Sequence, residues 1–175
     1  MQDENLIAYY TMIADESPIP ILIYNSPSYA AGVSVSPEAV SRLSAHDNIA
    51  GLKNSSGREI SEYAAAAGAD TRFCFHAGRL SDFCRDYHQG ASGATLSMAD
   101  YWPEDCIHIY ELLKQSRSSE AAEACGRADR AGRTGASAYG VAGVKYAMDL
   151  AGLYGGEPRL PLMPLNEKQK EQVRT

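Results

Sequence analysis

The sequence predicts an α/β protein in which four parallel strands alternate with helices and a helical tail follows. Three observations carry that reading. Four apolar runs of strand length recur along the first part of the chain. Segments with helical apolar spacing separate them, the pattern of βαβ units and a parallel sheet. After the fourth run the alternation stops, and only helix-like segments remain.

The elements follow in order. DENLIAYYTMIADE (3–16) sets Leu6, Ile7, Tyr10 and Ile13 at helical spacing. PIPILIYN (18–25) is the first strand run, rich in β-branched residues. SPEAVSRLSAH (36–46) opens with Ser36 as an N-cap and Pro37 at the first helical position, and Ala39, Val40 and Leu43 give its apolar stripe. NIAGLK (48–53) is the second strand; alternation assigns Ile49, Gly51 and Lys53 to one face and Ala50 and Leu52 to the other. REISEYAAAAG (58–68) is an alanine-rich helix stopped by Gly68. TRFCFHAG (71–78) is the third strand, and RLSDFCRDYHQG (79–90) follows as a helix with Leu80, Phe83, Cys84 and Tyr87 on one side. GATLSMAD (93–100) is the fourth strand run.

The tail reads as PEDCIHIYELLKQ (103–115), SSEAAEACGRADRAGR (118–133), VKYAMDLAGL (144–153) and a short helix from Asn166. YGGEPRLPLMP (154–164) reads as a surface connection. The spaced glycines of GRADRAGRTG (126–135) follow no strand, which argues against a dinucleotide fingerprint. The predicted organisation is therefore a strand-bearing region over 1–103 and a helical region over 104–175. Four parallel strands are half of a (β/α)8 barrel, and an open sheet of four leaves two edges and one poorly covered face.

Composition narrows the function classes. The 175 residues carry a net charge of -6 and are 45% hydrophobic, enough for one core. There is no basic stripe, so neither nucleic acid nor an anionic membrane surface is an expected partner. Cys74, Cys84, Cys106 and Cys125 show no paired spacing, so free thiols are expected and structural zinc is not. No apolar run reaches the length of a membrane span, and MQDENLIAYY has neither a basic nor an apolar signal region. The expectation is a cytoplasmic protein, or a mitochondrial one where a native N-terminus precedes Met1.

The stretch NIAGLKNSSG (48–57) ends an apolar strand on Lys53, among the residue types least often buried. Tyr24 stands at the same end of the first strand, where α/β barrels place catalytic groups. A buried amine is neutral more of the time and attacks carbonyls, and a nearby phenol can move protons to and from the adduct. The residues equally allow a snorkelling lysine beside a tyrosine bonded to backbone. His76 sits near the end of the third strand, while His46 and His88 fall at helix ends, where a dipole contact is the simpler reading. Lys145 and Arg159 in the tail are assigned structural or interface duty.

PIPILIYNSP followed by NIAGLKNSSG resembles the signature pair of the dihydrodipicolinate synthase/N-acetylneuraminate lyase family. GASGATLSMADYWP (90–103) is similar to the family's last barrel strand, and GVAGVKYAMDLAGLYGGEPRLPLMPL (140–165) to its C-terminal helices. The resemblance implies the C-terminal half of a TIM (β/α)8 barrel, starting at the helix after the family's fourth strand. It implies a pyruvate-dependent class I aldolase or lyase in which Lys53 forms the Schiff base and Tyr24 relays protons. Thr95 falls where the family sets a strand residue against the pyruvate methyl, with the Gly93 backbone nearby; Asn25 is given a structural role in the turn. The implied partners are pyruvate and an aldehyde, with no cofactor and no metal, in a homo-oligomer when the barrel is complete.

Three departures qualify that picture. PSYAAG (27–32) replaces the family's PSRTG and puts Tyr29 near the carboxylate-binding arginine, a charge pair that an aromatic does not supply. This weakens an assignment to 4-hydroxy-tetrahydrodipicolinate synthase of lysine biosynthesis, and the tail is closer to 4-hydroxy-2-oxoglutarate aldolase-like members. Asp100 stands where asparagine is common, read as a loop substitution. The Thr-Thr turn for the pyruvate carboxylate and a second relay tyrosine belong to strands with no counterpart here. The competing expectation is a catalytically inactive fragment that acts only by associating with another barrel chain.

Overall fold

Glycine, proline and short caps set where the elements begin and stop. A computed structural model of the chain describes residues 2–68 and 72–174. The chain divides into two compact units, Met1–Thr95 and Leu96–Thr175.

In the first unit the order is α1 (Asp3–Glu16), β1 (Ile21–Asn25), α2 (Pro37–Leu43), β2 (Ile49–Asn54), α3 (Ile60–Ala67), β3 (Cys74–Ala77), α4 (Leu80–His88) and β4 (Gly93–Ala94). Thr71, expected in the third strand, lies outside the described residues. The strands form one parallel sheet in the order β1-β2-β3-β4. Sequential order in a parallel sheet is barrel order; doubly wound sheets reverse direction partway. Ser36 caps α2 as its sequence predicts, its hydroxyl accepting from the Ala39 amide at 3.0 Å, with Pro37 in the first turn. Gly68 ends α3 at φ 79°, a conformation that favours glycine.

The core lies between the sheet and α1–α3. Ile23, Leu52 and Phe75 are register partners across the sheet, and all three pack with Leu6, Val40, Leu43, Ile60 and Tyr63. Burying each large aliphatic side chain stabilises by about 1.5–3 kcal/mol.

One expectation about β2 is corrected. Ile49 does not share the face of Lys53; it is buried in the core with Leu52. Pairing jumps from Ile21↔Ile49 to Leu22↔Gly51, so Ala50 is an extra residue in the ladder. A bulge of this kind shifts the alternation by one, and the count along β2 therefore fails ahead of Gly51. The run GATLSMAD also departs from its reading. Only Gly93–Ala94 is strand, and Ser97–Asp100 is a 3₁₀ turn. Its apolar alternation reflects Leu96 and Met98, both buried without a ladder.

The second unit holds α5 (Pro103–Lys114), α6 (Ser118–Thr134), α7 (Gly140–Leu150) and α8 (Glu167–Arg174). Ile109, Leu112, Leu113, Ala121, Ala124 and Cys125 form its interior. Lys145 is structural here, donating to the Gly155 carbonyl at 2.6 Å. No helix among the described residues is long and apolar enough to cross a membrane.

Candidate active site

Register places four residues in one row across the sheet. Tyr24 pairs with Lys53, Lys53 with His76, and His76 with Gly93. Register partners in a parallel sheet point to the same face about 4.8 Å apart. The rows on either side, Ile23/Leu52/Phe75 and Asn25/Asn54/Ala77/Ala94, point into the helix-covered side. Tyr24, Lys53 and His76 therefore share the face away from the core, at the C-terminal ends of their strands.

The geometry around the lysine is close. Lys53 Nζ lies 4.3 Å from the centroid of the Tyr24 ring. An ammonium there meets the negative face of the ring. The lysine is half-buried rather than dry, and Tyr24 is 45% exposed. The four strands of this sheet cover that face only in part. Leu22, next to Tyr24 on that face, is likewise 45% exposed.

Tyr24 is set in a group of hydroxyls. Its burial pushes the phenol up, but the hydroxyls of Ser26 and Ser55 and the charge of Lys53 together outweigh this and leave it below the ordinary tyrosine value. Ser26 is buried. Ser55 Oγ is buried, with no hydrogen-bond partner besides the Tyr24 phenol among the described residues. Gly78 makes room for it, since a Cβ on Gly78 would stand 1.9 Å from that oxygen.

Gly51 packs against the next strand; a Cβ there would meet Cys74 O at 2.2 Å and Cys74 Sγ at 2.5 Å. Glycine lets β2 and β3 come together at that row.

The strand ends are fixed from behind by buried amides. Asn25 donates to the Tyr63 hydroxyl at 2.8 Å and accepts from the Val35 amide at 3.1 Å, tying β1 to α3 and the following loop. Asn54 donates to the Arg58 carbonyl at 2.8 Å and accepts from the Ser56 amide at 3.1 Å, closing the loop after Lys53. Asn25 thus takes the structural place read for it, and Asn54 does the same one strand over.

Gly93 ends this row, and Thr95 lies beside it. Thr95 N donates to the Ala77 carbonyl at 2.9 Å, and its hydroxyl is 3.0 Å from His76 Nδ1. Tyr29 stands apart: it is 82% exposed on the turn after β1. That turn closes on itself, with Ala30 N donating to Ser26 O at 3.1 Å and Gly32 N to Pro27 O at 2.8 Å. His46, read as a helix-end dipole contact, instead faces Asp15, with Nε2 at 3.1 Å from Oδ1. His76 was not singled out for the site by sequence; counting register from Lys53 across β3 is the signal that finds it. Among the described residues no cluster of three or more His, Cys, Asp or Glu side chains is arranged to hold a metal.

A sequentially ordered parallel sheet with a lysine over a tyrosine at the C-terminal ends of its strands is the arrangement of a barrel-type α/β fold. The chain belongs to the dihydrodipicolinate synthetase family, whose model matches residues 1–175. It is 30% identical to the L-threo-3-deoxy-hexylosonate aldolase of Hypocrea jecorina, over 98% of this chain and 56% of that one. It is 32% identical to the 4-hydroxy-tetrahydrodipicolinate synthase of Archaeoglobus fulgidus, over 98% of this chain and 59% of the relative. A third relative, from Emericella nidulans, bears the name "Probable 4-hydroxy-2-oxoglutarate aldolase, mitochondrial" and is 31% identical over 89% of this chain and 50% of its own. The crystal structure of a dihydrodipicolinate synthase from Bacillus anthracis superposes with a TM-score of 0.85 at 23% identity, covering 99% of this chain and 59% of that one. The fold is thus that of half a barrel of this family, and the chain spans little more than half the length of the curated relatives it matches.

Proposed function

We propose that this chain carries the imine-forming half of a 2-oxo-acid aldolase or lyase, with Lys53 as the amine and Tyr24 as the proton relay. One observation supports this above the rest: the amine stands 4.3 Å over the phenol ring at the ends of adjacent strands. In the proposed reaction the neutral amine adds to the 2-oxo carbon of pyruvate. A proton from the Tyr24 phenol lets the carbinolamine oxygen leave as water, giving the imine. Loss of a methyl proton then gives an enamine, whose carbon bonds to the aldehyde carbon while the aldehyde oxygen takes up a proton. Water releases the product and restores the amine; cleavage is the same sequence in reverse. A depressed phenol suits both directions, because it gives and recovers a proton near neutral pH more readily than an ordinary tyrosine.

The test is borohydride reduction in the presence of pyruvate, followed by peptide mass spectrometry. A reduced pyruvyl adduct on the Lys53 peptide supports the reading. Absence of that adduct, also after addition of a chain supplying the other barrel half, overturns it. The open face favours a second reading, in which the chain acts only by pairing with another barrel chain. Leu22 and Tyr24 are both 45% exposed there, and β1 and β4 are edges. Sedimentation decides it, since a monomer that forms no adduct and binds no family partner eliminates this reading. A place in lysine biosynthesis is a further option, supported only by relatives of that name and opposed by Tyr29 at the arginine position.

A further inference from the structure

On the reading that Lys53 holds a 2-oxo acid as an imine, we infer that His76, oriented by Thr95, hydrogen-bonds a hydroxyl of the incoming aldehyde and so selects hydroxylated aldehydes over carboxylate-bearing ones. His76 is the register partner of Lys53 on the side opposite Tyr24. An adduct on Lys53 is therefore flanked by the phenol on one strand and the imidazole on the other. The next position in the row is Gly93, where a Cβ would meet nothing within 4 Å. The row is open beside the imidazole, and a substrate has room to extend there.

The contact with Thr95 engages Nδ1 at 3.0 Å and fixes the ring, leaving Nε2 unengaged among the described residues. Burial disfavours the charged imidazolium, and a neutral ring offers one donor or one acceptor at Nε2. A hydroxyl is satisfied by either; a carboxylate calls for a cation. The arginines of the neighbouring strand-end loops are already committed. Arg58 is paired with Glu62 at 2.5 Å, and Arg79 with Asp82 at 2.5 Å. Tyr29 brings no charge. Lys53 itself is consumed by the imine. A carboxylate on the acceptor thus finds no free cation among these groups, while a hydroxyl finds His76.

The experiment loads the chain with pyruvate, adds D-glyceraldehyde or glyoxylate, quenches with borohydride and weighs the Lys53 peptide. The measured quantity is the ratio of extended adduct to pyruvyl adduct for each aldehyde, which reports the carbon–carbon bond without requiring product release. The unsubstituted chain is expected to favour glyceraldehyde. His76→Phe is expected to lower that preference about five- to tenfold, the worth of one hydrogen bond. His76→Gln, which keeps a polar atom near Nε2, retains most of it, and Thr95→Val lowers it about threefold by freeing the ring. Glu123→Gln, on α6 and paired with Arg127, serves as a control with the unsubstituted ratio. Were His76→Phe to fail to fold, it would show no pyruvyl adduct, and the Gln and Val variants carry the comparison. An unchanged ratio in His76→Phe with its pyruvyl adduct present, or a preference for glyoxylate in the unsubstituted chain, overturns the inference alone. No pyruvyl adduct on the unsubstituted chain overturns the imine reading and the inference with it.

Discussion

The two faces of one sheet answer to different constraints. On the covered face Ile23 and Leu52 are fully buried and Phe75 nearly so, in one core cluster with residues of α1, α2 and α3. One residue along each strand, the opposite face carries Leu22 and Tyr24 at 45% exposure and a half-buried Lys53. The backbone is common to both, so the difference lies in what the side chains meet. The covered face is chosen for volume, where a lost methylene leaves a void; the open face is chosen for chemistry, where the neighbours are polar and replaceable in packing terms.

The contrast is breakable by substitution. Lys53→Ala removes the only amine in the row, and the pyruvate adduct is expected to vanish by mass spectrometry while thermal stability is retained. Leu52→Ala, one residue away on the other face, is expected to cost about 2–5 kcal/mol in denaturant unfolding. Equal stability losses for these two variants would end the two-face picture. Tyr24→Phe keeps the ring under Nζ but removes the phenol proton. It is expected to slow imine formation about a hundredfold in stopped-flow trapping.

The pH dependence sharpens the role of the hydroxyl group. A phenol that donates a proton works below its pKa, so adduct formation falls as pH rises through that value. The depressed value of Tyr24 sets this alkaline limb lower than for an ordinary tyrosine. Ser55→Ala removes one of the depressing contacts, and the limb is expected to move to higher pH in a trapping-rate profile. A limb that stays in place or moves down would separate Ser55 from the relay. The smallest effect belongs to Leu22→Ala, which leaves an already exposed position. It is expected to change stability by under about 0.5 kcal/mol in the same unfolding assay.

Local signals in the sequence were strong where local physics decides. Ser36 and Pro37 start α2 because a hydroxyl cap and a fixed φ act within one turn. Gly68 stops α3 for an equally local reason. The pairing of Tyr24 with Lys53 was legible because both motifs end on strands of similar length. The face of Ile49 was not, because a bulge depends on the ladder with β1 and leaves no mark in the residues of β2. The shortness of β4 was missed because Leu96 and Met98 alternate as a strand does, although a 3₁₀ turn buries them as well.

The sequence by itself determined the alternation of strand and helix, the family, and the presence of one lysine and one tyrosine at strand ends, since these follow from periodicity and motif. Only the tertiary structure decided that His76 stands next to Lys53, that Thr95 holds its ring, and that Gly51 exists to admit Cys74. Those facts are set by the register between strands far apart in the chain. Hydrogen bonding across the sheet fixes that register, and no single strand's residues contain it.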